Sequence, residues 1–251
     1  MTRYFISLMI LLGFLSCSKD QSDQFGNLDI LFEVTYDGQD VETGKIYTYL
    51  DGRALCFEKF KFFLSEVSLM GSADQVLLSD VAFAEFDRLF IESPGGRLSF
   101  AFPNVPAGNY NTLKFNLGLP PEINDQFDPS DFNQNDPLGF TSEYWDAWGS
   151  YIFAKIEGNI DSDDDAVCDK GFAYHVGGNP SFRVASRSLD LSIGGGKTSQ
   201  IVISIDLIDV FSDGATHVDI VEHSGIHNEG QRTLMDFIMD NLIASMTVSQ
   251  L

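Results

Sequence analysis

Hydrophobic and polar residues alternate along most of the chain after residue 27. In the stretch LDILFEVTY, Ile30, Phe32 and Val34 point to one side of an extended chain and the residues between them point to the other. This period-two pattern is typical of a half-buried strand. Similar runs continue as far as QIVISIDLIDVF and are separated by turn sequences such as Asp51-Gly52. Many strands with few helical stretches predict an all-β chain, folded as an antiparallel sandwich or barrel.

Two segments break the alternation. Residues 119–149 form a long insertion rich in Asp, Asn and Pro that ends at Trp145 and Trp148. Loops of this length within a compact domain are often functional. Residues 233–245 carry apolar side chains at helical spacing and predict a short amphipathic helix that packs on a sheet. The last residues, MTVSQL, are compatible with one more strand.

The N-terminal segment predicts export. Arg3 is followed by an apolar run too short to span a bilayer comfortably, which is typical of a secretory signal over residues 1–16. The sequence FLSC resembles a bacterial lipobox with Cys17 as the lipid-bearing residue, and residues 17–27 are polar enough for a tether. We therefore expect a lipid-anchored protein of the cell envelope, either periplasmic or associated with the outer membrane. An ordinary secreted protein or an uncleaved anchor is the alternative.

The composition limits the partners of the chain. It has 15 basic and 37 acidic residues and a formal net charge of −22, so it should be repelled by nucleic acid phosphates and anionic lipid surfaces. A hydrophobic content of 44% is sufficient for a packed core, in one large β domain or two small ones. Cys56 and Cys168 would be able to pair in an oxidising compartment, although the sequence does not show whether they come within reach.

Sequence signatures of enzymes are scarce. No glycine-rich phosphate loop, nucleophile elbow or HExxH motif occurs, and SIGGGKTS lacks the spacing of a P-loop. The acidic run 161–165 has the alternate Asp spacing of a calcium loop, but Ala166 and Phe172 stand where such loops carry Gly and Glu. A solvated hairpin loop is favoured there. The chain is therefore predicted not to be an enzyme.

Histidine is the residue type that most directly suggests metal chemistry. His217, His223 and His227 lie in one short stretch, and His175 stands apart in FAYHVGG. Imidazole nitrogen binds copper, zinc, iron and nickel. Because Gly225 disfavours a continuous helix, a loop with convergent imidazoles is the expected arrangement. Histidines that only form hydrogen bonds in loops are the alternative, and composition alone favours that alternative.

The two tryptophans allow two interpretations. A tryptophan just before a strand commonly closes the end of a β-sandwich, with its indole N–H bonded to a loop carbonyl. An aromatic pair on an exposed loop is also able to bind sugar rings. The residue pattern alone favours the packing role for Trp145 and Trp148.

Five stretches share the pattern of one protein family. They are FEKFKFFLSEVSL (57–69), FPNVPAGNYNTLKFNLGL (102–119), NDPLGFTSEYWDAWGSYIFAKIEG (135–158), FAYHVGG (172–178) and HSGIHN (223–228). In content and order they resemble the MbnP family, bacterial extracytoplasmic proteins associated with copper handling. The resemblance implies a single β-sandwich domain over residues 28–251, with Greek-key-like connections, one long loop insertion and a short C-terminal helix. It also implies bound copper and a di-haem partner of the peroxidase type that oxidises a tryptophan to kynurenine.

The resemblance distinguishes between the candidate residues when it is applied position by position. Trp145 matches the first tryptophan of the family pattern, six residues before Tyr151, and is the candidate for modification. Ala147 stands at the second tryptophan position, so Trp148 is displaced by one residue and is expected to pack. Val34 stands where many members carry a histidine in the first strand.

Two functions follow as hypotheses. The first is a non-enzymatic, lipid-anchored copper-binding protein, with His175, His223 and His227 as ligands and Trp145 as the residue oxidised by the di-haem partner. The second is a surface interaction or glycan-binding module without a metal site. This alternative expects Trp145 and Trp148 to be exposed and coplanar, with no histidine beside them.

Overall fold

The computed structural model describes residues 24–71 and 75–251, except for the side chain of Glu229. The predicted signal peptide, the predicted lipidation residue Cys17 and most of the predicted tether lie outside the described residues. In the part of the chain that is described, no helix is long and apolar enough to cross a membrane.

Strands make up most of the regular structure, and short helices connect some of them. The strands are β1 (Phe25–Tyr36), β2 (Gln39–Asp40), β3 (Tyr47–Thr48), β4 (Ala54–Gly71), β5 (Gln75–Glu85), β6 (Leu98–Pro106), β7 (Gly108–Leu117), β8 (Tyr144–Trp145), β9 (Ser150–Ile160), β10 (Lys170–Gly177), β11 (Arg183–Ile193), β12 (Thr198–Asp206), β13 (Gly225–Ile226) and β14 (Thr247–Gln250). The α-helices are α1 (Asp87–Glu92), α2 (Pro121–Asn124), α3 (Leu207–Val210) and α4 (Arg232–Ser245). Single 3₁₀ turns include Pro129–Asp131, Pro137–Gly139 and Thr141–Glu143.

The strands form two sheets, which confirms the predicted all-β sandwich. The five-stranded sheet has the order β14-β12-β1-β2, with β6 also paired to β1. The nine-stranded sheet follows β11-β7-β4-β9-β10-β13, with β3 and β5 paired to β4 and β8 paired to β9. The sheets are mixed rather than wholly antiparallel, because β1 runs parallel to β12 and β10 runs parallel to β13. Parallel neighbours need a long connection, and most of the chain lies between β1 and β12.

The core between the sheets is rich in aromatic rings. Phe32 of β1 meets Phe62 of β4 edge to face, with 5.9 Å between ring centroids, and so joins the two sheets. Phe57 and Phe60, also in β4, are fully buried. In β1 every second residue from Gly26 to Tyr36 is buried, so the alternation seen in the sequence does mark the inward-facing positions there.

The insertion between β7 and β9 is held by a second aromatic layer, on the other face of the nine-stranded sheet. Tyr151 of β9 packs edge to face on Tyr144 with 5.0 Å between centroids, and its hydroxyl donates to the Leu138 carbonyl oxygen at 2.7 Å. Phe83 of β5 contacts Phe140 of the insertion with 5.4 Å between centroids. These contacts explain why a segment so rich in Asp and Asn lies in one place on the sheet.

Helix α4 confirms the amphipathic helix predicted at residues 233–245. Its buried residues are Met235, Ile238, Met239 and Leu242, which recur at helical spacing on one face. Both methionines therefore pack in the core. The final strand, β14, pairs antiparallel with β12, as the MTVSQL segment suggested.

A disulfide bond joins Cys56 of β4 to Cys168 in the loop before β10. The two Cα atoms lie 6.1 Å apart, and the bond spans 112 residues of sequence. The sequence left this pairing open, because the two cysteines meet through the pairing of β4 with β9 and of β9 with β10.

Candidate functional site

A tight hairpin places Trp145 at one end of the nine-stranded sheet. Trp145 pairs with Ser150 across β8 and β9, and the Trp148 backbone N–H donates to the Trp145 carbonyl oxygen at 2.9 Å. Gly149 completes the turn with a φ of 58°, a left-handed conformation that favours glycine. The two tryptophans are thus neighbours across a turn, so both rings emerge on one side.

The two indoles are stacked face to face. Their centroids lie 4.7 Å apart and their planes differ by 9°. Trp148 packs against the hydrophobic core, which confirms the packing role predicted for it. Trp145 lines an open pocket of about 690 Å³ instead. One face of the Trp145 ring is therefore covered by Trp148.

Two histidines complete this pocket. His175 lies on β10 opposite Lys155 of β9, and His227 directly follows β13, which pairs with β10. The centroid distances are 5.4 Å between the two imidazoles, 5.8 Å from Trp145 to His175 and 5.5 Å from Trp145 to His227. Three residues predicted from the sequence therefore converge at one place.

Gly225 allows His227 to reach this position. A Cβ atom at residue 225 would lie 2.8 Å from His227 Nε2, closer than a side chain is able to approach. The backbone at Gly225 forms a short strand rather than a helix. The expected loop with a convergent imidazole is thus present for His227.

Glu157 orients the His175 ring. Its Oε1 lies 2.7 Å from His175 Nε2, and its Oε2 accepts from Lys59 Nζ at 2.7 Å. Burial raises the pKa of Glu157, but the hydrogen bonds from Lys59 and His175 outweigh burial and keep that pKa below its usual value. Burial lowers the pKa of His175 more than Glu157 raises it, so the ring is neutral at pH 7. The ionised carboxylate only accepts, so Nε2 carries the hydrogen and Nδ1 keeps a lone pair.

A buried ion pair fastens the insertion beside Trp145. Lys155 Nζ donates to the Ser142 carbonyl oxygen at 2.9 Å and lies 2.9 Å from Glu143 Oε2. The Lys155–Glu143 contact is an ion pair rather than an aligned hydrogen bond, since Glu143 Oε2 has no hydrogen-bond partner among the described residues. The two side chains are only 9% and 3% exposed. Because residues 142 and 143 directly precede β8, this pair positions the strand that carries Trp145.

The fold and this pocket can be compared with known proteins. The family model for MbnP matches residues 25–229. The chain belongs to the MbnP family. Among solved structures, MbnP from Methylosinus trichosporium is similar, with a TM-score of 0.54 and 13% sequence identity, over 89% of this chain and 98% of that chain. At that identity the likeness shows a shared fold. No curated protein sequence matches the chain.

The MbnP match includes Trp145, His175 and His227 and ends just before α4. It also includes His223, which was predicted to bind metal with the other two histidines. In the structure His223 lines a different pocket from the one that His175 and His227 line. His217 lines the same pocket as His223. The Tyr174 hydroxyl holds this segment by donating to the His223 carbonyl oxygen at 2.7 Å.

Val34, where the family resemblance implied a histidine, is buried in the sandwich core on β1. It does not line the pocket of Trp145. Among the described residues that line this pocket, His175 and His227 provide the imidazole nitrogens.

The sequence interpretation missed Glu157, Lys155 and Glu143. A signal was present, because Lys155 and Glu157 are charged residues two apart in a strand that is otherwise apolar from Tyr151 to Ile156. Side chains two residues apart in a strand lie on one face of the sheet. Two charged side chains on that face of a buried strand need oppositely charged or hydrogen-bonding partners.

The acidic run of residues 161–165 also has a structural role of its own. The Asp161 carboxylate is 2% exposed and accepts from the backbone N–H groups of residues 163 to 166. One carboxylate oxygen from each of Asp161, Asp163 and Asp165 lies within 4.8 Å of the other two. The backbone contacts agree with the hairpin loop that the sequence favoured.

Proposed function

We propose that this chain is a lipid-anchored copper-binding protein of the bacterial cell envelope, and that Trp145 is the substrate of an oxidising di-haem partner. In this role the chain is modified by an enzyme and is not itself one. The observation that carries the proposal is the convergence of Trp145, His175 and His227 at one open pocket. Trp145 also matches the first tryptophan position of the family pattern, which makes it the candidate for modification.

The side chains that line the pocket are suitable ligands for copper. Imidazole nitrogens suit copper, and His175 is neutral at pH 7, so a proton does not compete for its lone pair. Carboxylates such as Glu157 commonly hold the second nitrogen of a metal-bound histidine, which fixes the tautomer and the ring orientation. The chain would therefore contribute two imidazoles, of which His175 is already oriented.

Oxidation of Trp145 would change what the pocket offers. Conversion to kynurenine opens the indole and leaves an aromatic amine and a ketone, with net gain of two oxygen atoms and loss of carbon monoxide. Both new polar groups would lie beside His175 and His227. We infer that this modification adds donors to a site in which Val34 stands where the family resemblance implies a histidine.

The Cys56–Cys168 disulfide supports the proposed compartment. Disulfides persist in oxidising environments such as the periplasm and the cell surface and are rare in the cytosol. This agrees with the export signal expected from residues 1–16.

The glycan-binding alternative is less well supported. It expects the two tryptophans to be coplanar, with no histidine beside them. The indoles are stacked instead, so Trp148 covers a face of Trp145 that a sugar ring would need, and two imidazoles lie against Trp145.

Copper titration of the soluble domain tests the metal site. Loss of a residue that only orients a metal ligand typically weakens metal binding by about 10- to 100-fold. Loss of a ligand itself should cost more, so we expect His175→Ala and His227→Ala each to weaken copper binding by more than this. Isothermal titration calorimetry measures this, under both reducing and oxidising conditions. His217→Ala is the matched control, and His223→Ala should also bind as the wild type does. Equal affinity of the wild type and the His175→Ala/His227→Ala double variant would refute the proposed site.

Peptide mass analysis tests the modification. In protein isolated from its native cells, the peptide that contains Trp145 should carry the mass change of kynurenine, and Trp148 should be unmodified. Recombinant protein from cells without the partner is the control. An unmodified Trp145 in native cells that express a di-haem oxidase would contradict this part of the proposal.

A further inference from the structure

We propose that Trp148 makes Trp145 easier to oxidise, so that the stacked pair, and not a single indole, is the unit that gives up the electron. The proposal rests on the proposed role of Trp145 and names a residue that tunes it. Its basis is the 4.7 Å, nearly parallel stack of the two rings.

The physical reason is the charge that appears on Trp145. Loss of one electron turns the indole into a radical cation that faces the electron-rich face of Trp148. Cations within about 6 Å of an aromatic centroid are stabilised by the ring, and tryptophan stabilises them more than tyrosine or phenylalanine does. The Trp145–Trp148 stack lies within this distance before any oxidation takes place.

The stack is built into the fold rather than formed by chance at a flexible tip. Trp148 packs against the hydrophobic core, and its backbone N–H donates to the Trp145 carbonyl oxygen. Lys155 holds the residues just before β8 through Ser142 and Glu143. Little reorganisation is therefore needed when the charge forms.

The charges around the pocket do not oppose a cation on Trp145. The Lys155 ammonium is paired with Glu143, and His175 shares a hydrogen bond with the ionised Glu157. The Asp146 side chain also lines the pocket and adds a negative charge. The positive charges near Trp145 are thus paired with negative ones, and Asp146 adds a further negative charge, which favours a radical cation on the ring.

The step is a one-electron transfer. The Trp145 indole loses one electron, and a high-potential metal complex gains it and is reduced by one unit. The indole N–H proton then passes to water. No bond between heavy atoms forms or breaks at this stage.

A double-mutant cycle measures the coupling. Photogenerated ruthenium(III) tris-bipyridine is mixed anaerobically with the wild type, Trp145→Phe, Trp148→Phe and the double variant, and the rate of its reduction to ruthenium(II) is recorded. The double variant gives the background rate, which comes from oxidation of tyrosines. If the two indoles react independently, the wild-type rate above this background equals the sum of the two single-variant rates above it. We expect the wild type to exceed that sum by up to about twofold, because a cation over an exposed ring gains roughly two- to five-fold in an equilibrium constant and phenylalanine retains part of that gain.

Three controls make the result specific. Trp148→Leu should be slower than Trp148→Phe, because leucine has no ring face. Unfolding exposes Trp145 and would speed the reaction, so a loss of rate does not reflect misfolding. Trp145 is the single tryptophan left in each Trp148 variant, and acrylamide quenching of its fluorescence should show equal access to the ring in Trp148→Phe and Trp148→Leu.

Additive rates, or a loss of rate that parallels a loss of access, would overturn the inference. This outcome is separate from the test of the proposed function. Unmodified Trp145 in native cells would refute the partner's role and leave the measured coupling as it is. Kynurenine at Trp145 with additive rates would refute only the role of Trp148.

Discussion

Replacing Lys155 by methionine is expected to destabilise the protein by about 3–5 kcal/mol, the usual cost of removing one partner of a buried ion pair. The substitution leaves the Glu143 carboxylate, only 3% exposed, without its counter-ion. It also removes the hydrogen bond to Ser142 that holds the insertion before β8. Urea unfolding at pH 7 measures the loss as a lower midpoint with an unchanged slope.

The Glu143→Leu/Lys155→Met double variant tests whether the unpaired charge is the cause. Because no charge is then left buried, we expect it to recover most of the lost stability. Arg88→Met is a matched control: its ion pair with Glu92 lies on an exposed helix surface, and its loss should cost less than about 1 kcal/mol. A Lys155→Met protein within about 1 kcal/mol of the wild type would contradict the inferred role of the pair.

Removing the Cys56–Cys168 bond with serine at both positions should cost about 2–5 kcal/mol. The bond closes a segment of 112 residues, and long closed loops restrict the unfolded chain most. Thermal or urea unfolding of the variant, beside the wild type with and without a thiol reductant, measures the effect. The reductant should lower the wild-type midpoint to that of the variant and leave the variant unchanged.

Copper affinity should be unaffected by the same change. Cys56 pairs with Asn159 near the end of β9, whereas Trp145 pairs with Ser150 at its start. Nine residues of extended strand separate these positions by roughly 30 Å. An unchanged unfolding midpoint would show that the disulfide does not stabilise the fold. A copper affinity that falls together with stability would show that the disulfide also affects the copper site.

Whether the sequence predicted a site residue depended on how rare its residue type is and on whether it matches a family pattern. Trp145, His175 and His227 were found because Trp and His are few in this chain and match a family pattern at fixed spacing. Glu157 and Lys155 were missed because Glu and Lys are common, and their partners are 98 and 12 residues distant at Lys59 and Glu143. His223 was grouped with His227 because the two are close in sequence, but they line different pockets.

The fold shows the same division. Period-two alternation identified strands such as β1 and their inward-facing residues, because such a strand buries one face in either direction of pairing. Alternation carries no information about which strands are neighbours. The parallel pairing of β1 with β12 and the Cys56–Cys168 bond were therefore not predictable from it.

By itself, the sequence determined which apolar residues of the alternating strands face the core, where the chain turns, that α4 is amphipathic and which rare side chains are suited to metal and redox chemistry. These properties depend on local spacing and on the hydrophobicity of each residue. Only the tertiary structure decided that Trp148 stacks on Trp145, that His227 and not His223 joins His175, and that Glu157 orients the ring. Each of these contacts joins a turn or strand to a neighbour whose position is determined by sheet pairing, so it exists only after the sandwich has assembled.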